Sequence, residues 1–170
     1  MVTAERWSTH IDEDHEVLRY RVEAMKSALS AKTDPETRRC TLVSLVIRAL
    51  APDLELHLRK EEQVLFPALL NLATDRAGDI VFLKEQHTQL RTILRQLAAS
   101  LCECGCHSEK IDWKEVTRVG GQFTYLLEQH ERKEEELLID VLASSLKPQE
   151  LMQLARGFHR VAWKVFQEEL

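Results

Sequence analysis

The chain has 170 residues, of which 44% are hydrophobic and 30% charged, a balance that excludes a mainly disordered protein and suffices for a buried core. The formal net charge is −5 at pH 7, which excludes a broad nucleic-acid-binding surface because such a surface needs an excess of basic residues. The 5 glycines and 4 prolines are too few for the turns of a β-sandwich or barrel, so the composition favours an all-α fold.

Apolar residues of the first segment recur at steps of four and three along residues 11–29, which predicts one amphipathic helix. Asp34-Pro35 is a typical helix start, with an N-cap residue followed by proline at the first helical position. We therefore predict a second helix from about Pro35 to about Leu70. The turn that follows it covers residues 71–78.

The same spacing predicts a third helix over residues 80–101, a fourth over about 113–143 and a shorter fifth over about 148–170. Four long amphipathic helices with mostly short connections predict an all-α, up-down-up-down four-helix bundle with a short fifth C-terminal helix. We expect a single domain over residues 1–170, with the bundle core at about 11–143.

An internal repeat relates the two halves of the predicted bundle. The segment HLRKEE at positions 57–62 of the second helix recurs as HERKEE at positions 130–135 of the fourth. His15 of the first helix and His87 of the third are 72 residues apart, close to the 73 residues between His57 and His130. A Leu-Arg pair follows both His15 and His87, three and four residues later. The repeat predicts two similar helical hairpins that face each other across a site of matching halves. Its histidines and glutamates are His15, His57, Glu61, His87, His130 and Glu134.

These six residues occupy the apolar stripes of their helices, where leucine is expected. A single histidine or a single His-x-x-x-Glu pair is more typical of a hydrogen-bonded core residue or a surface pair, but six together are not. A buried carboxylate costs several kcal/mol unless it is paired or bound to a metal, and the stripes carry no lysine or arginine. At about 1.5 Å per residue the six converge near the turn at residues 71–78. The pattern therefore predicts a polynuclear metal site.

Four imidazoles and two carboxylates suit two iron ions or two manganese ions. We expect both glutamates to bridge the metals and two histidines to bind each, with positions left for an oxo or hydroxo bridge and an exogenous ligand. A structural zinc site fits the six residues less well, because it takes only four ligands and these are often cysteines. Ferritin-like di-iron bundles use Glu-x-x-His pairs, which neither half of this chain contains.

At these residues the chain resembles the hemerythrin-like (HHE cation-binding) family, over about Ile11 to Ala143. The motifs that carry the resemblance are Asp14-His15, His57-x-x-x-Glu61-Glu62 followed by Leu65-Phe66-Pro67, His87, and His130-x-x-x-Glu134-Glu135. The resemblance implies a non-haem di-iron centre, with two iron ions held in a four-helix bundle.

Two departures separate this chain from the oxygen-carrying members of the family that it resembles. Those members have a second histidine one turn after that of the third helix, where this chain has Arg91. They also have a carboxylate five residues after the last histidine, whereas Glu134 is four after His130. The ligand set is more similar to the symmetric four-His, two-Glu site of bacterial di-iron proteins such as the iron–sulfur-centre repair proteins. That group usually has a Cys-bearing N-terminal domain, and we expect none in this chain.

These departures disfavour reversible oxygen transport and leave the question of enzymatic activity open. One hypothesis is a protein that binds or senses oxygen, nitric oxide or peroxide. The alternative is a di-iron enzyme that acts on peroxide, or in iron–sulfur cluster repair or iron donation. A third hypothesis is a structural bundle with a satisfied polar core. The sequence contains no segment of signal-peptide length and no apolar run of roughly 18 residues, so we expect a cytoplasmic protein that contacts no membrane.

Several residues outside the repeat have two interpretations each. Asp53, one turn before His57, is either an extra ligand or an acid beside Pro52. Tyr20 and Tyr125 either approach the site or pack in the core. We expect the acidic run of the fourth helix to be mostly a solvated face, apart from Glu134, and the fifth helix to dock on the bundle through its apolar residues. The two groups are Glu131–Glu136 for the acidic run, and Phe158, Val161, Trp163 and Phe166 for docking.

Three of the four cysteines lie within five positions, in a predicted loop at residues 102–112. With one histidine, Cys102, Cys104 and Cys106 form either a soft-metal or redox cluster or part of an unstructured loop. Their spacing is not that of a secreted disulfide framework. Cys102 lies beyond His87 by about 22 Å of helix, which excludes these residues as ligands of the bundle site.

Overall fold

A computed structural model of the chain describes residues 5–31, 36–102, 111–145 and 147–168. These residues form helices joined by turns, and no strand occurs among them. The helices are α1 (Glu5–Ser30), α2 (Glu36–Lys60), α3 (Phe66–Leu72), α4 (Ala77–Cys102), α5 (Trp113–Ser145) and α6 (Pro148–Glu168). Within the described part of the chain, no helix is both long and apolar enough to span a membrane.

The predicted second helix is present, but it is divided into α2, a π-helical turn and α3. The π turn covers Glu61–Leu65, and α2 runs through Pro52 without a break in its helical assignment. Pro67 has no N–H to bond the carbonyl oxygen of Gln63, and the chain widens into the π turn immediately before this proline. The widened turn therefore begins at Glu61, one of the predicted site residues.

Ion pairs show that neighbouring helices of the bundle are antiparallel. Arg21 on α1 donates to Asp53 on α2 at 2.9 Å, whereas Asp14, earlier on α1, accepts from Lys60, later on α2, at 2.6 Å. α1 packs against α2 and α5, and α4 packs against the same two helices, which closes a four-helix ring. The predicted bundle is confirmed, while the single domain over residues 1–170 stays a prediction.

A polar layer divides the apolar core into two clusters. On α4, Leu83 belongs to the smaller cluster and Leu90 to the larger one, and His87 lies between them. The other three long helices of the bundle cross the same layer. The flanking residues there are Ile11 and Leu18 on α1, Leu58 and Leu65 on α2 and the π turn, and Leu127 and Leu137 on α5.

Helix α6 covers the end of the bundle next to the smaller cluster, where it contacts α1, α2 and the π turn. Phe158 and Val161 are buried, as predicted. Trp163 and Phe166 are 61% and 54% exposed, so the prediction that they dock the helix is wrong. Their rings contact each other, with centroids 5.9 Å apart, on the outer face of α6.

Close contact between α6 and the π turn depends on a residue without a side chain. A Cβ atom added to Gly157 would lie 2.5 Å from Cγ1 of Val64, far inside van der Waals contact. The glycine therefore lets α6 approach the π turn. On α5, a Cβ atom added to Gly120 would likewise overlap the side chain of Leu29, whereas one added to Gly121 would meet open space.

Candidate metal centre

All six predicted site residues come together in the polar layer, and each is at most 1% exposed. Their donor atoms form two groups, in each of which all the atoms lie within 4.8 Å of one another. Glu61 belongs to both groups. The first group is His15, His57, Glu61 and Glu134, and the second is Glu61, His87 and His130.

Glu61 lies between three of the four imidazoles. Its Oε1 atom is 2.5 Å from Nε2 of His57, and its Oε2 atom is 3.0 Å from Nε2 of His87 and 3.4 Å from Nε2 of His130. One carboxylate therefore faces donors of both groups. This is the arrangement expected of a residue that bridges two metal ions.

Glu134 occupies a different place from its repeat partner. Its Oε2 atom is 3.1 Å from Nε2 of His15, and the residue belongs to the first donor group alone. Glu134 lies within the regular α-helix α5, whereas Glu61 begins the π turn. The structure thus shows one glutamate between the two groups and one beside the first group, where the sequence predicts two equivalent bridges.

The Nδ1 atoms of the four imidazoles face a second set of polar side chains. Nδ1 of His87 is 2.7 Å from Oε1 of Glu62, and Nδ1 of His130 is 3.3 Å from Oε1 of Gln86. A hydrogen bond from Nδ1 fixes the tautomer and the orientation of a metal-binding imidazole, and it makes Nε2 the free donor. Both histidines of the second group are therefore oriented with Nε2 towards Glu61.

The first group has the same arrangement at longer distances. Nδ1 of His15 is 3.6 Å from Oε1 of Glu135, and Nδ1 of His57 is 3.8 Å from Oδ2 of Asp14. Asp14 directly precedes His15 in the chain, just as Gln86 precedes His87. The repeat therefore extends from the donors to the residues around them, with a carboxylate in one half where the other half has an amide.

Cationic side chains hold these outer carboxylates and do not reach the donors. Lys60 donates to Asp14 at 2.6 Å, and Arg91 donates to Glu62 at 2.7 Å. Arg91 lies one turn after His87, at one of the two departures noted from the sequence. Here its guanidinium binds a carboxylate that in turn contacts His87. Position 91 therefore supports a predicted ligand without being one.

Strong mutual stabilisation links the buried imidazoles and carboxylates. Burial alone would lower the pKa of His57, but Glu61 and Asp14 outweigh it and raise this pKa well above its ordinary value. Burial would likewise raise the pKa of Glu61, but His57 and the other two imidazoles around it lower this pKa well below the usual range. His87 and Arg91 overcome burial and lower the pKa of Glu62 to about 2. Glu61 and Glu62 are therefore ionised.

Glu131 is buried at 4% exposure, so it is an exception to the mostly solvated face that the sequence predicts. Arg19 of α1 donates to its Oε2 atom at 2.9 Å. Burial raises the pKa of Glu131, although His15 and Arg19 oppose the effect. The partner lies 112 residues away in the chain, and the acidic run around Glu131 gave no local sign of it.

The remaining candidates lie away from the two donor groups. Asp53 accepts from Arg21 at 2.9 Å and belongs to neither group. Tyr20 and Tyr125 are 70% and 65% exposed, so the expectation that they pack in the core is wrong. These tyrosines lie off the apolar stripes of α1 and α5, and their spacing was the signal that could have placed them outside.

The cysteine-rich segment is only partly within the described residues. Helix α4 ends at Cys102, as the predicted loop at residues 102–112 requires. Cys104 and Cys106 lie outside the described residues, and so does the side chain of Cys102. The two interpretations of this segment both stay predictions.

The chemistry of the donors fits divalent metal ions. Several buried atoms that face the shared space make no hydrogen bond of good geometry among the described residues, although Nε2 of His57 and Oε1 of Glu61 lie 2.5 Å apart. Such atoms cost free energy unless a cation satisfies them. Imidazole nitrogens together with carboxylate oxygens suit iron and manganese. The atoms without a hydrogen bond of good geometry are Nε2 of His57 and His130, and Oε1 of Glu61 and Glu134.

Comparison with protein families identifies the hemerythrin HHE cation-binding domain. The family model matches residues 8–103 and again residues 78–168. The first match begins within α1 and the second within the first turn of α4, the helix that repeats the histidine pattern of α1. Each hairpin with its following helix therefore resembles the family pattern. Comparison with curated proteins and with solved structures found no match.

Proposed function

Because the chain belongs to the hemerythrin HHE cation-binding family, we propose that it is a non-haem di-iron protein that binds or senses oxygen, nitric oxide or peroxide. The observation that carries the proposal is Glu61, which is shared by two buried donor groups. Manganese suits the same donors. The proposed ligands are His15, His57, Glu61 and Glu134 for the first metal ion, at position 1, and Glu61, His87 and His130 for the second, at position 2.

When it is bound, a pair of iron ions supplies open coordination positions and a change of oxidation state, which are the properties that small oxidising ligands require. The protein supplies the surroundings. Leucine and phenylalanine side chains on both sides of the polar layer exclude water, and the outer carboxylates hold the imidazole rings in place. These roles need no further catalytic side chain.

The burial of the site supports a small ligand. Each of the six proposed ligands is at most 1% exposed, so a diatomic molecule or peroxide can reach the site with small side-chain motions, whereas a larger substrate cannot. The cytoplasmic location and the absence of a nucleic-acid partner stay predictions from the sequence.

The first test is the metal content and visible spectrum of the anaerobically purified chain. We expect two iron ions per chain, the near-ultraviolet band of an oxo-bridged ferric pair after oxidation, and spectral changes on stopped-flow mixing with oxygen or nitric oxide. His57→Ala is expected to lose iron. The matched control is His159→Ala, since His159 lies on the exposed side of α6 and outside both donor groups.

Two results would redirect the proposal. Peroxide turnover that disappears in the His57→Ala variant would favour the enzymatic alternative, and transfer of iron to a damaged cluster would favour repair. A chain that neither contains nor takes up two metal ions would contradict the proposal and leave a structural bundle with a polar core.

A further inference from the structure

The two proposed metal positions differ in their donors, although the sequence repeat relates them. Position 1 has two imidazoles and two carboxylates within 4.8 Å of one another, whereas position 2 has two imidazoles and Glu61. Because Glu61 is common to both, Glu134 makes the difference. A second carboxylate adds a full negative charge beside a divalent cation, which strengthens binding in a buried site.

The residues that support the imidazoles differ in the same direction. At position 1 the outer side chains that face Nδ1 are the carboxylates of Asp14 and Glu135, at 3.8 and 3.6 Å. At position 2 they are the carboxylate of Glu62 and the neutral amide of Gln86, at 2.7 and 3.3 Å. The contacts of position 1 are longer than hydrogen bonds, so these carboxylates act on the imidazoles through their charge. A neutral amide supplies no such charge, and its presence in place of a carboxylate therefore weakens position 2.

The outer cations do not cancel the difference between the two positions. One guanidinium faces two carboxylates at each position: Arg19 faces Glu131 and Glu135, and Arg91 faces Glu62 and Glu55. The outer cations are therefore arranged alike. The surplus of negative charge at position 1 comes from Glu134, which belongs to the first donor group alone.

We propose that position 1 binds the first metal ion and that position 2 binds the second at least about tenfold more weakly, so that the chain passes through a state with one metal ion. This inference rests on the proposed function, because it requires two metal positions. It adds an order of loading and an inequivalence of the two ions, which the sequence repeat by itself does not predict.

The test is an anaerobic titration of the metal-free full chain with Co²⁺, followed by calorimetry and by visible absorption. We expect two steps separated by at least about tenfold in affinity. The repeat partners provide a matched pair of variants: His87→Ala is expected to keep the tight step and lose the weak one, and His15→Ala is expected to do the reverse. Two steps of equal affinity, or a tight step that survives in His15→Ala, would overturn the order.

Two further variants keep all six proposed ligands, so their outcome does not depend on whether the alanine variants fold. Gln86→Glu adds a carboxylate beside His130, and Asp14→Asn removes one beside His57. Each is expected to narrow the ratio of the two affinities by several-fold, and a ratio unchanged in both would contradict the role of the outer charges. Failure of the unaltered chain to bind two Co²⁺ ions is a different result, since it contradicts the proposed function itself.

Discussion

The two helical hairpins carry the same pattern of histidines and glutamates in different backbones. In the first hairpin a π turn begins at Glu61, whereas in the second α5 continues as a regular helix through Glu134. Glu61 faces three imidazoles and Glu134 contacts one. A sequence repeat can therefore preserve donors along the chain while the local backbone differs, and π turns are frequent at such functional sites.

The largest expected effect comes from removing each glutamate in turn. Glu61→Ala deletes a donor common to both positions, so we expect the affinity for both Co²⁺ ions to fall by more than about 100-fold, or about 2.7 kcal/mol. Glu134→Ala is expected to weaken the tight step alone. Anaerobic calorimetry measures both variants, and equal losses at both steps in Glu134→Ala would remove the distinction between the two glutamates.

Two equivalent arginines test how the surroundings of the two halves differ. Arg19 lies one turn after His15, and Arg91 lies one turn after His87. Arg91→Met frees Glu62, which is 2.7 Å from Nδ1 of His87, so we expect the weak step to lose about 10- to 100-fold in Co²⁺ affinity. Arg19→Met frees Glu135 in the same way. We expect it to have a smaller effect on the tight step, because Glu135 lies 3.6 Å from Nδ1 of His15. The control is Arg95→Met: the Nε atom of this exposed residue donates to a backbone oxygen of its own helix.

A third experiment tests the contact between α6 and the π turn. The described part of α5, in the second hairpin, contains no π turn. Gly157→Ala places a Cβ atom 2.5 Å from Val64, so we expect the free energy of unfolding in urea to fall by about 1–3 kcal/mol. Gly121→Ala is the matched control. Its added Cβ atom meets open space, and it is expected to raise the free energy of unfolding by up to about 1 kcal/mol. Destabilisation of similar size in both variants would contradict the tight approach.

The smallest expected effect is a slope in the pH dependence of stability. The pKa values of His15, His57 and His87 are raised above 6.5, because adjacent carboxylates outweigh burial. Protonation of these imidazoles therefore stabilises the metal-free chain fully below pH 6.5, and this contribution is lost as the pH rises through the raised values. Urea unfolding of the metal-free chain is expected to become easier from pH 6.5 upwards, whereas Co²⁺ binding becomes tighter because fewer protons must leave. A metal-free chain whose stability rises over this range would contradict the assignment.

The positions of the site residues could be predicted because helical geometry converts spacing into location. Each of the six occupies an apolar stripe, and the nearly equal offsets from His15 to His87 and from His57 to His130 place the two halves opposite each other. All four helices of the ring and the fifth helix followed from the same periodicity. The structure brings the six residues together, and their role as metal ligands stays a prediction.

The misplaced features depend on contacts that a local pattern does not contain. The π turn inserts one residue into a helix whose apolar spacing looks continuous, so the inequivalence of Glu61 and Glu134 had no signal in the repeat. Glu131 is buried because Arg19 crosses from α1 to meet it. Trp163 is exposed on α6, outside the face of the helix that buries Phe158 and Val161.

The polar layer separates the apolar core into two clusters that can differ in stability. Within each cluster the side chains pack continuously, but between the clusters the four long helices are connected through imidazoles and carboxylates. Coordinate bonds across this layer would couple the two ends more strongly, and their loss would leave only the imidazole–carboxylate contacts and the helix backbones between them. The metal bound under the proposed function would then protect the chain from proteolysis.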